Sequence, residues 1–330
     1  MALIFICFIT VIILFNVLKI DKTFSEEENR VLVTMPKFTI KGFLSGDFVE
    51  NYTKYVEDNF AGRKGFVSIK TNLEKLSGKT EINSVFIGED GQLFEKFEEG
   101  PEEETKAKID AINSFSEKYK NLNISFMLTP TATKVLEDNL PKYAPNDDEL
   151  SYINTVFSGL NSNINTINPY EALSENKDEY IFYKTDHHWT SKGAYIAYTV
   201  MCEKLGLTPN SIENFDVVTV TDSFYGSLSS KIGIQGKKAD SIDIYIPKES
   251  DFIVTYVDEQ KKSTSLFDNT YLDKKDKYNV FTGGNHPLIN IKTLGDPNNK
   301  LLIIKDSYAN CFLPFLTSHY GEINVVDLRY

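Results

Sequence analysis

The sequence predicts an α/β protein: a parallel sheet flanked by helices, with a β-rich insertion and an N-terminal transmembrane helix. Three observations predict it. Beyond residue 80, short apolar strands alternate with amphipathic helices, the pattern of a sheet covered on both faces. Between about 213 and 282 the chain changes to alternating segments separated by charged turns. A 17-residue run, residues 2–18, opens the chain with only Thr10 and Asn16 as polar interruptions.

Taken in order, that first run shows no polar face, so a buried globular helix does not fit it. Lys19 ends it, and no small-x-small cleavage site follows. It reads as an uncleaved signal-anchor over 1–19, near the lower length limit for crossing a bilayer. No basic residues precede it, so the native protein is expected to begin somewhat earlier. The main domain is expected on the extracytoplasmic side, as a single-pass cell-membrane protein.

Residues 20–80 read as a polar linker followed by two amphipathic helices. In the first, Ser45 is the expected cap, and Phe48, Val49, Tyr52, Tyr55, Val56 and Phe60 recur at helical spacing. Gly62 breaks it, and Phe66, Ile69, Leu73 and Leu76 mark the second.

The α/β domain is expected to fill 81–330. Segments 84–87 and 92–97 flank Glu89-Asp90-Gly91 as a hairpin. Helices are expected at 102–120, 148–160 and 191–205, and strands at 124–128 and 164–167. The insertion at about 213–282 carries expected strands at 215–220, 242–246, 252–257 and 278–282. The main fold resumes with the apolar strand 301–304 and a helix after Ser307. The last strand, 323–328, is expected to lack a cover within the chain, which predicts that the native protein continues beyond Tyr330.

Composition excludes some functions. A formal net charge of −12 without a basic stripe excludes a nucleic-acid backbone as partner. Three cysteines, Cys7, Cys202 and Cys311, show neither metal-type spacing nor a disulfide framework.

Chemistry concentrates at one place. The chain has four histidines, and two of them, His187 and His188, are adjacent, with Asp186 before them and the single Trp, Trp189, after. A histidine serves as a general base near neutral pH, and a carboxylate fixes its tautomer. In D-x-H spacing on a loop, Asp186 reaches the imidazole of His188. Ser307 follows an apolar strand at its C-terminal end, where α/β sheets place ligand sites. Its hydroxyl stands beside backbone N–H groups that can stabilise an oxyanion, with Gly283, Gly284 and Asn285 as further donors. Other readings stay open. Asp-His-His can ligate a metal, although adjacent histidines diverge and no third ligand is evident. The loop can be structural, and Asp-Ser before a helix is frequently a cap.

The run Thr185-Asp186-His187-His188-Trp189-Thr190 resembles the signature of the DHHW protein family of Gram-positive bacteria. That family resembles the alginate O-acetylation proteins of the AlgX/AlgJ type, which have an SGNH-hydrolase-like fold. Further matching stretches are Glu28-Asn29-Arg30, residues 43–63, Ile87-Gly88-Glu89-Asp90-Gly91 and Asp327-Leu328-Arg329-Tyr330. The resemblance implies Asp186 as acid, His188 as base and Ser307 as nucleophile; Gly284, Asn285, His187 and Tyr308 are the expected oxyanion or supporting residues. His187 occupies the variable position of the motif. Lys305 stands where such hydrolases often have Gly, so an inward-facing ammonium would alter the site.

The resemblance implies an O-acetyltransferase or acetylesterase acting on a cell-envelope or secreted polysaccharide. An integral membrane acyltransferase would be the partner that delivers the acetyl group, and no cofactor is implied. The competing reading is a non-catalytic glycan-binding or envelope-assembly protein of the same fold.

Overall fold

The computed structural model describes residues 2–25, 30–233, 238–249 and 251–330, so the expected match at Glu28-Asn29 lies outside the described residues. Helix α1 (Ala2–Leu18) comes first and is apolar on every face. It has 17 residues, and no helix among the described residues is long and apolar enough to cross a membrane. Its 17 residues rise about 25 Å against a hydrocarbon core of about 30 Å, so the length of α1 does not by itself support the expected transmembrane helix.

Strands β1 (Phe24–Ser25) and β2 (Arg30–Val31) pair antiparallel. Helices α2 (Ile40–Ser45), α3 (Asp47–Asn59) and α4 (Arg63–Leu76) follow. Ser45 is not the cap expected for α3. It ends α2, its hydroxyl bonds the Asp47 carboxylate, and Gly46 in a left-handed conformation turns one helix into the next.

In the domain proper, β3 (Glu81–Ile82), β4 (Val85–Ile87) and β5 (Leu93–Glu95) form an antiparallel sheet, with Glu89-Asp90-Gly91 as the turn between β4 and β5. After α5 (Glu102–Lys118), strand β6 (Ile124–Met127) pairs parallel with β7 (Ile164–Ile167). Between them lie α6 (Ala132–Val135) and α7 (Glu149–Gly159), and α8 (Tyr170–Glu175) comes next. Helix α9 (Ser191–Leu205) is capped by the Thr190 hydroxyl and buries Ala194, Ala197, Tyr198 and Met201. Strands β8 (Phe215–Phe224) and β9 (Asp240–Pro247) form a bulged antiparallel ribbon, with α10 (Ser227–Ile232) in the connection between them.

The last strands are β10 (Phe252–Tyr256), β11 (Lys261–Ser263), β12 (Leu288–Thr293), β13 (Lys300–Ile304) and β14 (Glu322–Val326). They form one sheet in the order β11-β10-β12-β14-β13. Only β13 and β14 run parallel in it. The expected parallel sheet is therefore a mixed sheet beside a separate parallel pair. An apolar run reports burial, not strand direction, so the sequence pattern was equally compatible with both.

Four further expectations change. Strands β10 and β11 belong to this main sheet rather than to a detached insertion. The segment expected as a strand at 278–282 is a 3₁₀ turn (Lys277–Val280), followed by left-handed Thr282, Gly283 and Gly284, which cannot continue as a strand. The helix expected after Ser307 is a pair of 3₁₀ turns, Ser307–Cys311 and Leu313–Leu316. Pro314 lacks an N–H and crowds the preceding turn, which blocks a longer α-helix. Strand β14 does not lack a cover: it lies between β12 and β13 with Ile323 and Val325 buried. One apolar core joins α9, the β8–β9 ribbon, the main sheet and the two 3₁₀ turns.

Candidate active site

The loop before α9 carries Asp186 and His188, and it is clamped from below. The Asp240 carboxylate, at the start of β9, accepts from the Thr185 N–H and the Lys184 N–H at 2.8 Å each. It also accepts from the Thr185 hydroxyl at 2.5 Å and the Tyr180 hydroxyl at 2.6 Å. A buried carboxylate with this many donors fixes two successive peptide planes. Removing it with Asp240→Ala orphans the donors, and the expected loss is about 3 kcal/mol of stability, read as a lower denaturant midpoint at unchanged m-value.

From this clamp the chain turns so that the Asp186 side chain folds back. Its Oδ1 accepts from His188 Nδ1 at 2.6 Å and from the His188 N–H at 3.0 Å. Its Oδ2 accepts from the Ser227 N–H at 2.7 Å. Gly226 makes this approach possible: a Cβ there would lie 2.2 Å from Asp186 Cβ. Because a carboxylate only accepts, His188 carries its proton on Nδ1, and Nε2 is left with a lone pair. That nitrogen stands 2.8 Å from Ser307 Oγ, which donates to it. Asp186, His188 and Ser307 thus form one hydrogen-bonded line, joining the loop before α9 to the turn after β13.

Packing holds the imidazole plane. The Tyr278 ring stacks on His188 with centroids 3.8 Å apart and planes 8° from parallel. The Tyr278 hydroxyl reaches the Ser307 carbonyl at 3.1 Å, so one side chain braces both members of the pair. The Trp189 Nε1–H donates to the Tyr308 carbonyl at 2.9 Å, and the Tyr308 hydroxyl donates to the His187 carbonyl. These two bonds cross-link the loops in opposite directions. His187 sits half-buried, with Nδ1 2.6 Å from the Ser227 hydroxyl.

Burial sets the electrostatics. Burial lowers the His188 pKa, and the neighbouring His187 adds to the effect. Together they outweigh the Asp186 charge, so the imidazole is neutral and basic at pH 7. Burial alone would raise Asp186. The two histidines and the Ser227 N–H overcome it and hold the carboxyl below the usual range. In the same cleft, burial and the Asp186 charge push Asp276 up to about 6.

Lys305, two residues before Ser307, is nearly sealed, with 2% of its side chain exposed. Its ammonium donates to Asn310 Oδ1 at 2.7 Å, to Asn285 Oδ1 at 3.0 Å and to Asp327 at 3.3 Å. Asn310 Nδ2 also donates to Asn285 Oδ1 at 3.1 Å. With its oxygen doubly engaged, Asn285 has its amide NH₂ as the end available to the cleft it lines. Lys305 therefore points away from the Ser307 hydroxyl and orders the amides beside it.

The cleft measures about 270 Å³ and is lined by Asp186, His188, Ser307, Asn285, Asp276 and Arg329, among others. Asn285 and His187 thus stand in it, whereas Tyr308 acts as a strut between loops. Gly284 does not serve as the expected donor: its N–H is bonded to the Phe281 carbonyl, and it helps shape a left-handed turn. Asp186, His187 and His188 present ligand atoms within 4.8 Å of one another. Both oxygens of Asp186 and both ring nitrogens of His188 have protein hydrogen-bond partners.

Sequence reasoning missed Tyr278, Asp240, Ser227, Gly226 and Asp276. Only Gly226 carried a local signal, as a glycine opening a short helix.

The chain is similar to a DHHW family protein from Eubacterium siraeum, at 27% identity over 76% of this chain and 84% of that one, with a TM-score of 0.65. It is also similar in fold to Bacillus cereus PatB1, solved with a sulfonyl adduct, at 20% identity over 75% of this chain and 88% of that one, with a TM-score of 0.62. A weaker likeness is to the O-acetyltransferase domain of Pseudomonas putida AlgJ, at 14% identity over 73% of this chain and 78% of that one, with a TM-score of 0.46. No curated protein matches the chain. The model of the family described as DHHW protein matches residues 106–326, a span that holds the whole Asp186–His188–Ser307 line and most of the chain, and the protein belongs to that family.

Proposed function

We propose that the protein is an extracytoplasmic O-acetyltransferase or acetylesterase acting on a polysaccharide of the cell envelope. The observation that carries this reading is the Asp186–His188–Ser307 hydrogen-bonded line opening into a polar cleft. As Ser307 Oγ attacks an acyl carbonyl, its proton passes to His188 Nε2. The oxyanion meets the Asn285 amide and the Ser307 N–H, which starts a 3₁₀ turn and so has no partner within it. The leaving group takes the proton from His188, and an acetyl-serine remains. A sugar hydroxyl then gives its proton to His188 and attacks this ester; the Ser307 Oγ–acyl bond breaks, Ser307 Oγ takes the proton back from His188, and transfer is complete; water in place of the sugar gives hydrolysis.

A polysaccharide suits a cleft whose walls are amide, carboxylate, guanidinium and phenol groups. In this reading α1 seats in the bilayer, locally thinned around it, and holds the domain from Asp21 onward outside the cytoplasm. An integral membrane acyltransferase would supply the acetyl group, by analogy with alginate acetylation.

The test is acetate release from a chromogenic acetate ester, followed by acetyl transfer to a cell-wall oligosaccharide. Equal rates for wild type, Ser307→Ala and His188→Ala would discard the enzyme reading in favour of a glycan-binding one.

The pH profile follows from the shifts. The base must be neutral, so kcat/KM falls as pH drops through the His188 pKa, which lies below the ordinary histidine value of about 6.5. Asp276 loses its charge in the cleft as pH drops through about 6. Asp276→Asn is expected to remove that second inflection and leave the His188 limb, as read from kcat/KM between pH 4 and 8.

A further inference from the structure

Helix α4 is inside out for a helix on a soluble domain. Phe66, Ile69, Leu73 and Leu76 fall on one stripe and are 50%, 59%, 61% and 84% exposed. The opposite side holds it to the protein. Thr71, 1% exposed, donates its hydroxyl to the Ile232 carbonyl at 2.6 Å, and Val67 packs so closely against Gly233 that a Cβ there would lie 2.5 Å from Val67 Cγ1. Helix α3 adds exposed Val49, Tyr52 and Val56. An apolar stripe of this extent marks a surface that something covers.

Two bonds show what lies next to it. The Ala61 N–H, in the corner between α3 and α4, donates to Asn16 Oδ1 in the last turn of α1 at 2.9 Å. The Tyr55 hydroxyl of α3 donates to Asp21, just past α1, at 2.5 Å. The corner is thus pinned to the end of a helix with no polar face. Arg63 and Lys70 fall along one border of the α4 stripe, where cations meet anionic headgroups.

We propose that α4 lies in the membrane interface, with Phe66, Ile69, Leu73 and Leu76 among the lipids, and that it thereby sets the Ser307 cleft beside the membrane surface. This rests on α1 being seated in the bilayer, since that depth places the α3–α4 corner at the headgroups. The link to the site is short. Helix α4 grips the C-terminal end of α10, and α10 begins at Ser227, whose N–H holds Asp186 and whose hydroxyl holds His187. An acyl donor delivered from the membrane would meet the cleft without a long diffusive path.

The test uses the full chain with Ile69→Trp, reconstituted in phosphatidylcholine vesicles with and without phosphatidylglycerol. The single native Trp, Trp189, is buried and serves as the internal reference. The expected result is that the emission added by Ile69→Trp is blue-shifted and loses most of its intensity to lipids brominated on the acyl chain, with a larger loss when phosphatidylglycerol is present. Adding Lys70→Glu is expected to reduce that loss. A chain that floats with the vesicles through α1 but shows no quenching overturns the proposal for α4 alone. A blue shift without quenching that grows with protein concentration assigns the stripe to a second copy and also overturns it. A chain that does not float overturns the α1 reading and this one together.

Discussion

Ser307→Ala is expected to lower acetate release by about 10⁴-fold or more, to the level left by binding and the oxyanion donors alone. The magnitude follows from the single route that the geometry offers. His188 Nε2 faces one nucleophilic oxygen, Ser307 Oγ at 2.8 Å, and Asp186 and Tyr278 hold the imidazole toward it. Without the hydroxyl, no covalent intermediate forms and water must attack directly. Stability should change little, because Ser307 is only part-buried and its removed oxygen bonds only His188. The variant should therefore keep the wild-type melting midpoint while losing turnover, which separates a chemical role from a structural one.

The second large effect is on Asp186→Asn, with an expected loss of about 10⁴-fold in kcat. An amide in that position has an NH₂ where a carboxylate oxygen was. If its oxygen stays on the Ser227 N–H, the NH₂ faces His188 Nδ1, and the ring must carry its proton on Nε2. That tautomer donates to Ser307 and cannot take its proton. If the amide flips, the Ser227 N–H meets an NH₂ instead and α10 is pushed away. The first outcome costs the base, and the second costs the Ser227 contact that positions the carboxylate's loop. The pH profile distinguishes this from simple unfolding: the variant should recover part of its rate at high pH, where a fraction of Ser307 ionises unaided, while an unfolded chain would not. A purely structural Asp186 would show the same fractional loss at every pH.

Much of this site was legible in the chain because it is written locally. Asp186 and His188 are two residues apart, and the loop closes on itself with a bond from the His188 N–H to the same carboxylate oxygen. Ser307 was legible from its place at the end of an apolar strand. What the sequence did not reveal is held by distant partners. Asp240 clamps Thr185 from 55 positions away, and Tyr278 stacks on His188 from an element that reads as a strand yet is a 3₁₀ turn. Neither position has a periodicity or a motif to announce it.

Gly284 shows the converse error. Glycine predicts backbone freedom, and Gly284 uses that freedom to bury its own N–H in a turn rather than to offer it. Lys305 was expected to alter the site if its ammonium faced inward, and that ammonium is turned onto Asn285, Asn310 and Asp327. Burial lowers its pKa while the Asp327 charge works to keep it protonated. In the fold, the positions of several strands were legible, but β12, which joins β10 to β14, was not, and neither were strand directions, since apolar spacing is the same whichever way a strand runs. Strand β14 illustrates this: it reads as a bare end and is an inner strand.

Covalent capture reads directly whether Ser307 is the group that His188 activates. Treatment of the native protein with a fluorophosphonate or sulfonyl fluoride, followed by peptide mapping, is predicted to place one adduct on Ser307. Labelling should weaken as the pH falls through the His188 pKa, which burial holds below the ordinary histidine value, and be absent in Ser307→Ala and His188→Ala. An adduct on another residue, or undiminished labelling in the His188 variant, would contradict this activation of Ser307 by His188.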